Sequence, residues 1–420
     1  MAGLRFCFLT TFYPPYSFGG DAVGVQRLAR GLVRRGHAVT VVHDVDAYKV
    51  LRRAGEPEAA SDDDGVDVVP LRSRLGPLSP LLTHQLGRPV ANGRKIRRLL
   101  EDGRFDVVNF HNVSLVGGPG LLACGDALKL YMAHEHWLVC PMHVLWRHGR
   151  EPCTGRQCVR CALHYRRPPQ LYRWTGFLEA QLEHVDAFIA MSEFSRVKHR
   201  EFGFVHDMEV VPYFLPDPVP RVAAERSPHA RPYFLFVGRL EKLKGLHDVI
   251  PLFRGPGEAD LLIAGEGAQS ANLRRLAAGE PRVRFLGMIG GDELRACYQH
   301  AIALVVPSLC FETFGIVVIE AFENRTPVIA RRIGPLPEIV EPVGAGELFG
   351  SLEELSSALR RLQHDPEYRD RLAAAGYRAY RERYCESVVL PRYLDVVRRT
   401  ATRRGRHAIA AALTEASVRS

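Results

Sequence analysis

The sequence predicts an α/β protein of two doubly wound domains that face a shared cleft. Three observations lead there: short, nearly continuous apolar segments alternating with amphipathic helical stretches, a proline-rich break near the middle, and a restart of the same alternation beyond it. A length of 420 residues suits two domains of ordinary size, each able to bury a core.

Residues 4–10 read as a buried first strand. Val25, Leu28, Ala29, Leu32 and Val33 then recur at helical spacing until Gly36 stops the helix. Further strands are expected at 38–43, 106–110, 128–133, 186–191 and 208–211. Between 212 and 232, six prolines (Pro212, Pro216, Pro218, Pro220, Pro228 and Pro232) punctuate a charged stretch of weak periodicity, which is linker composition. The alternation resumes with strands at 233–237, 260–264, 283–286, 303–306 and 327–330. After Leu352 the chain reads mainly as helix, through 365–384 and 388–399, and 403–420 is basic, then alanine-rich, a helix expected to fray. The resulting division is a first domain at 1–215 with a cysteine-rich loop at 137–165, a linker at 216–232, a second domain at 233–385, and helices at 386–420 that pack back on the first domain.

Composition narrows the class. With 46% hydrophobic and 25% charged residues, extensive disorder is excluded. No apolar run approaches the roughly 18 residues of a spanning helix. The N-terminal Leu4–Leu9 run is too short for a signal peptide, and Pro14-Pro15 and Gly19-Gly20 follow it without a small-residue cleavage site, so a cytoplasmic protein is expected. The net charge of +9 favours an anionic partner such as a nucleotide or a phospholipid surface, or reflects arginine-rich composition alone. No zinc-finger or RNA-recognition signature accompanies the scattered Arg-Arg pairs, so nucleic acid is not the expected partner.

Open α/β sheets bind ligands at the carboxyl ends of their strands, so the chemistry belongs in the loops that follow them. In the loop after 233–237, Gly238 allows close approach to the backbone, Arg239 offers a planar donor fork for phosphate oxygens, and Lys244 adds charge near the start of the next helix. A solvated basic turn would look the same. In the loop after 303–306, Glu312 precedes Gly315, and Glu320 falls about one and a half turns into the helix that begins there. Gly315 would let a phosphate or sugar reach the amides of Ile316 and Val317. Two carboxylates beside a diphosphate make sense if each accepts hydrogen bonds from hydroxyls, one set on a sugar and one on a ribose; a helix-dipole glutamate and a paired surface glutamate remain the plain alternative.

These residues carry a resemblance. Gly238-Arg239, Lys244-Gly245 and Glu312-x7-Glu320 with Gly315 between them are similar to glycosyltransferase family 4, retaining enzymes of the GT-B fold with two Rossmann-like domains. The likeness covers most of the chain and includes Leu262-Ile263-Ala264-Gly265-Glu266-Gly267, residues 283–287 and Thr326-Pro327-Val328-Ile329-Ala330. It implies a transferase that moves a sugar from a nucleoside diphosphate sugar to an acceptor hydroxyl, in cell-surface glycan, glycolipid or glycoside biosynthesis. Arg239 and Lys244 then resemble the diphosphate pair, Glu312 the donor-sugar carboxylate, Glu320 the ribose carboxylate, and Gly315, Ile316 and Val317 the amide cradle. Met288 and Ile289 stand where such enzymes hold the base edge. In the first half, Gly19 and Gly20 resemble the family's first glycine loop, His134 its active-site histidine, and Ser192-Glu193-Phe194 a recurrent turn that serves first as a helix N-cap. The resemblance implies no catalytic metal. Two departures are Asn324-Arg325 before Thr326-Pro327, where the family usually carries a glycine, and Tyr213-Phe214 after Pro212, where an asparagine-glycine pair is common.

Four cysteines crowd one loop as C-x12-C-x4-C-x2-C: Cys140, Cys153, Cys158 and Cys161. Their spacing suits a structural zinc held by four thiolates, with inert thiols or a redox role as alternatives. The basic run Arg398-Arg399, Arg403-Arg404 and Arg406 suggests a lipid-linked acceptor and peripheral contact with the inner membrane face. Two rival functions are a GT-B epimerase that releases nucleotide, and a non-catalytic nucleotide- or polyanion-binding protein; intact acidic and basic pairs argue against the second.

Overall fold

Strands such as Tyr233–Val237 and Ala187–Ala190 carry apolar side chains on both faces, so they are stable only between layers of helices. The computed structural model, which describes residues 3–51, 63–219 and 226–417, arranges them in this way. The first sheet holds β1 (Arg5–Leu9), β2 (Ala38–Asp44), β3 (Asp67–Leu71), β4 (Val107–Phe110), β5 (Leu128–Ala133), β8 (Ala187–Ala190) and β9 (Met208–Val210), in the order β3-β2-β1-β4-β5-β8-β9. A small antiparallel hairpin, β6 (Trp146–Arg147) with β7 (Glu151–Pro152), stands apart in the cysteine-rich loop. The second sheet holds β10 (Tyr233–Val237), β11 (Asp260–Ala264), β12 (Val283–Gly287), β13 (Leu304–Val306), β14 (Val328–Arg331) and β15 (Gly346–Phe349), in the order β12-β11-β10-β13-β14-β15. Every pairing within the two large sheets is parallel.

In each sheet the strand order reverses beside its first strand, between β1 and β4 and between β10 and β13. Crevices open at such points, and the glycine loop after β1 and the two charged loops after β10 and β13 all leave from them. The edge strands β3 and β15 are additions to the sequence-based expectation. β3 carries Asp67 and Pro70, as edges tolerate, and β15 is four residues long and opens on Gly346.

One apolar cluster runs through both halves, from Phe6 and Leu28 through Tyr213 and Phe314 to Tyr384 and Val396. The crossing between halves is built on aromatic rings, with Phe314 5.7 Å from Tyr213 and 5.8 Å from Tyr384. Tyr213 fits because residue 24 is glycine; a Cβ there would lie 2.2 Å from the Tyr213 ring. The helix Glu386–Arg403 lies against the first half, where the Asn109 amide donates to the Tyr393 hydroxyl at 3.2 Å and Arg34 pairs with Glu386. Beyond it, His407–Ser417 is a packed helix rather than a fraying one, with Ile409 and Leu413 buried. Of the expected linker, Pro220 and residues 221–225 lie outside the described residues, as do 418–420 of the expected terminal helix. Among the described residues no helix is long and apolar enough to cross a membrane.

The core also buries imidazoles. Burial pushes His134 down to about 3, and His43, His84 and His199 down to about 4. Each folded value lies below the ordinary 6.5, so the unfolded chain takes up protons first as pH falls. The associated stability is complete above 6.5 and lost progressively toward 4, by about 1.4 kcal/mol per pH unit for each imidazole that stays neutral. The urea midpoint is therefore expected to fall steadily from pH 6.5 to about 4; a flat profile over that range contradicts burial of neutral histidines.

Candidate active site

The loop after β10 is shaped by a close approach. Gly245, at a φ of +75°, lies against Pro307 of the neighbouring loop, and a Cβ there would meet the Pro307 carbonyl at 2.0 Å. That contact brings the 3-10 turn Lys242–Lys244 beside the loop after β13. The Lys244 ammonium reaches Glu312 Oε1 at 2.6 Å, and the Ser308 hydroxyl donates to the same oxygen at 2.8 Å. Burial works to raise the Glu312 carboxyl, but Lys244, Ser308 and Arg239 outweigh it and hold the group below its ordinary range. Arg239, Lys244 and Glu312 therefore occupy one pocket.

Gly315, at a φ of +119°, caps the helix Ile316–Glu323 without a side-chain partner, leaving its first amides toward the pocket. Four residues after Ile316, Glu320 accepts from Arg27 at 3.1 Å and from the Tyr298 hydroxyl at 3.2 Å. Met288 is exposed and Ile289 half-buried on the loop after β12, three places from β13 in the sheet. Both stand at the carboxyl end of the sheet, just after β12.

The first half meets this pocket directly. The helix Gly20–Arg34 begins at the glycine pair with no side-chain cap. A Cβ on Gly20 would lie 3.0 Å from Ile316, and one on Gly19 would lie 4.0 Å from the Arg239 guanidinium. Asp21, in the first turn, also faces the pocket. Burial and Glu135 raise its carboxyl, while the amides of Ala22 and Asp21 and the charge of Arg239 oppose the rise.

His134 directly follows β5. Its Nε2 contacts His111 Nδ1 at 2.7 Å, its Nδ1 contacts the Tyr213 hydroxyl, and its carbonyl accepts from Thr313 at 2.8 Å. Both ring nitrogens are thus engaged by protein, and the residue clasps the two halves. Ser192 caps the helix Glu193–Glu201, accepting from Ser195 at 3.0 Å, and donates to the Thr313 carbonyl at 2.7 Å. The amides of Glu193 and Phe194 donate across the cleft to Glu338 at 3.0 and 2.8 Å. Sequence reasoning missed Asp21, Arg27, Ser308 and Tyr298. Gly20, Gly24 and Arg27 do follow helical spacing, which was the available signal for one face.

The cysteine loop starts close by, but its four thiols make local contacts. Cys153 donates to the Gly155 carbonyl, and the His148 amide donates to Cys161 sulfur. Burial raises the Cys140 thiol to about 11 and raises that of Cys158, and each also feels a neighbouring thiol of the set. Among the described residues no group of three or more His, Cys, Asp or Glu is arranged to hold a metal ion. The basic C-terminal run is likewise engaged: Arg398 and Arg399 pair with Asp395, Arg399 with Glu209, Arg404 with Asp186, and Arg406 with the Asp126 carbonyl.

Comparison with known proteins agrees with this geometry. Residues 18–215 match the model described as Glycosyltransferase Family 4, and residues 222–379 that described as Glycosyl transferases group 1. A phosphatidyl-myo-inositol mannosyltransferase of Mycobacterium leprae is 32% identical over 409 residues, covering 92% of this chain and 96% of its own. The chain belongs to glycosyltransferase family 4. This family 4 enzyme is a retaining glycosyltransferase. Its GT-B fold is shared with sucrose-phosphate synthase from Thermosynechococcus elongatus, at a TM-score of 0.72 and 21% identity over 94% of this chain and 98% of that one. Anabaena HepE, solved with UDP and glucose, aligns at a TM-score of 0.65 and 17% identity, over 94% and 99%.

Arg239→Ala and Lys244→Ala are each expected to lower kcat on the order of a hundred-fold, about 3 kcal/mol of transition-state stabilisation. Near-normal turnover in both variants removes these residues from the site. Lys244→Ala should also lower the melting temperature, because it leaves Glu312 without its cation.

Proposed function

We propose that the donor nucleoside diphosphate sugar lies against the second domain, at 233–385, and that the acceptor hydroxyl enters from the first, at 1–215. The observation that carries this reading is the meeting of Arg239, Lys244, Glu312 and the uncapped amides after Gly315 in one pocket under the Gly19-Gly20 loop. As the bond from the anomeric carbon to the diphosphate oxygen stretches, negative charge grows on the leaving group. Arg239, Lys244 and the amides of Ile316 and Val317 stabilise that charge in a cleft closed by the first domain. Lys244 exchanges Glu312 for a phosphate oxygen, and Glu312, still holding Ser308, accepts from the donor sugar's hydroxyls. Glu320 takes the ribose hydroxyls, and the backbone at Met288 and Ile289 borders the base. The acceptor oxygen bonds to the anomeric carbon on the face that the diphosphate leaves, and its proton passes to a diphosphate oxygen.

His134 supports this chemistry by position, holding Thr313 and Tyr213 so that the halves stay aligned. The acceptor is a sugar, lipid-linked or small-molecule hydroxyl compound, and the reaction takes place on the cytoplasmic side. A thermal-shift panel of sugar nucleotides, starting with UDP-sugars, tests the reading. One donor is expected to raise the melting temperature in the wild type and not in Arg239→Ala. No shift with any donor in the wild type overturns it.

The cysteine loop carries a separate reading. The spacing of Cys140, Cys153, Cys158 and Cys161 supports a zinc that orders the loop on the acceptor side, with no step of the reaction passing through it. Metal analysis of untagged protein is expected to give about one zinc per chain, four thiolates completing one tetrahedral site; a content near zero removes the metal and leaves four thiols.

A further inference from the structure

The helix Leu78–Leu86 is turned the wrong way round for a protein surrounded by water. Its inward face is Ser79, Pro80, Thr83 and His84, all buried. Its outward face is Leu78, Leu81, Leu82 and Leu86, with Leu78 57% and Leu86 54% exposed. Leu75 before it and Val90 after it are exposed as well. A surface helix normally directs its apolar stripe to the core, and contiguous exposed apolar residues mark a contact surface.

Neighbouring elements extend the patch. The helix packs beside Val45–Leu51, which exposes Val50 and Leu51, and beside the turn Leu171–Trp174. That turn exposes Leu171 at 64% and Trp174 at 54%. A Cβ on Gly87, just past the helix, would lie 2.9 Å from the Tyr172 ring, which fixes the junction. Arginines rim the patch: Arg72, Arg74 and Arg88 are exposed, and the Arg88 guanidinium stands 4.7 Å over Phe177. From Arg72 to Arg98 the sequence carries seven Arg or Lys residues and no Asp or Glu.

We propose that this leucine face, with Trp174 and its arginine rim, is a docking surface for an anionic lipid bilayer. The charge distribution chooses the occupant. A second copy of the chain would bring two such arginine rims together, which is repulsive. Anionic headgroups complement the rim, while leucines and a tryptophan enter the boundary between headgroups and acyl chains. The surface also adjoins the cleft. Arg72 donates to the Tyr16 hydroxyl at 3.2 Å, and Tyr16 lies in the loop that leads to Gly19-Gly20. A lipid-borne acceptor held at this face would meet the acceptor side of the pocket; that consequence alone rests on the donor site proposed above. The assignment moves membrane contact from the C-terminal arginines, which are engaged in ion pairs and hydrogen bonds, to the first domain.

The test uses the full chain with vesicles of phosphatidylglycerol mixed with phosphatidylcholine, and with vesicles of phosphatidylcholine alone. The wild type is expected to co-sediment with the anionic vesicles and far less with the neutral ones. Leu78→Gln/Leu82→Gln should partition on the order of ten-fold more weakly. These leucines are exposed, so the variant's melting temperature should match the wild type. Trp137 and Trp146 are buried, so a blue shift of tryptophan emission on anionic vesicles reports Trp174 and should vanish in Trp174→Phe. Equal partitioning of wild type and the leucine variant overturns the proposal, as does a concentration-dependent dimer that the same variant dissolves. Donor stabilisation, measured without vesicles, should be unchanged in the leucine variant; its absence from the wild type would count against the donor site and not against this surface.

Discussion

The partly buried contact of Lys244 with Glu312 is the interaction on which the rest of the site depends. The pocket gathers positive groups, and gathered cations repel one another unless something offsets them. Glu312 does so from the facing loop, assisted by Ser308, and its carboxyl stays ionised despite being largely withdrawn from water. The arrangement requires the loops after β10 and β13 to touch, which in turn requires adjacent strands at a strand-order reversal and a glycine at 245. Architecture and electrostatics are therefore one constraint seen at two scales.

The first domain completes the pocket through contacts of several kinds. Gly20 closes on Ile316, Arg27 holds Glu320, Glu338 receives two helix amides, and the chain of Tyr213, His134 and Thr313 fastens the centre. The departure at residue 213 finds its physical sense here. A tyrosine in place of the family's asparagine is accommodated by Gly24 and supplies a hydroxyl to His134. The Arg27 pairing with Glu320 occupies the carboxylate proposed to take the ribose, so on that proposal donor binding and the contact between halves compete for one group.

Much of this was legible in the sequence. Strands of five or so continuous apolar residues, such as β10 and β11, announced themselves, and the ordered set of glycines, acids and bases marked the two loops that meet through Lys244 and Glu312. Elements were missed where local composition contradicts the rule used to find them. β3 interrupts itself with Pro70, β15 is too short to show a period, and the hairpin β6–β7 has two residues per strand. Arg27 escaped because its partner lies 293 positions away in sequence. The C-terminal arginines were read as a surface for lipid because two of their carboxylate partners, Glu209 and Asp186, lie far earlier in the chain, near its middle. The leucine helix shows a further limit: periodicity reveals that a helix has two faces and does not say which one is turned inward.

A crystal structure with UDP bound tests the central claim most directly. Phosphate oxygens are expected within hydrogen-bonding distance of Arg239, Lys244 and the amides of Ile316 and Val317, with Lys244 moved off Glu312 and the ribose on Glu320 in place of Arg27. A nucleotide bound elsewhere, or one bound here with Lys244 still paired to Glu312 and remote from phosphate, would contradict it.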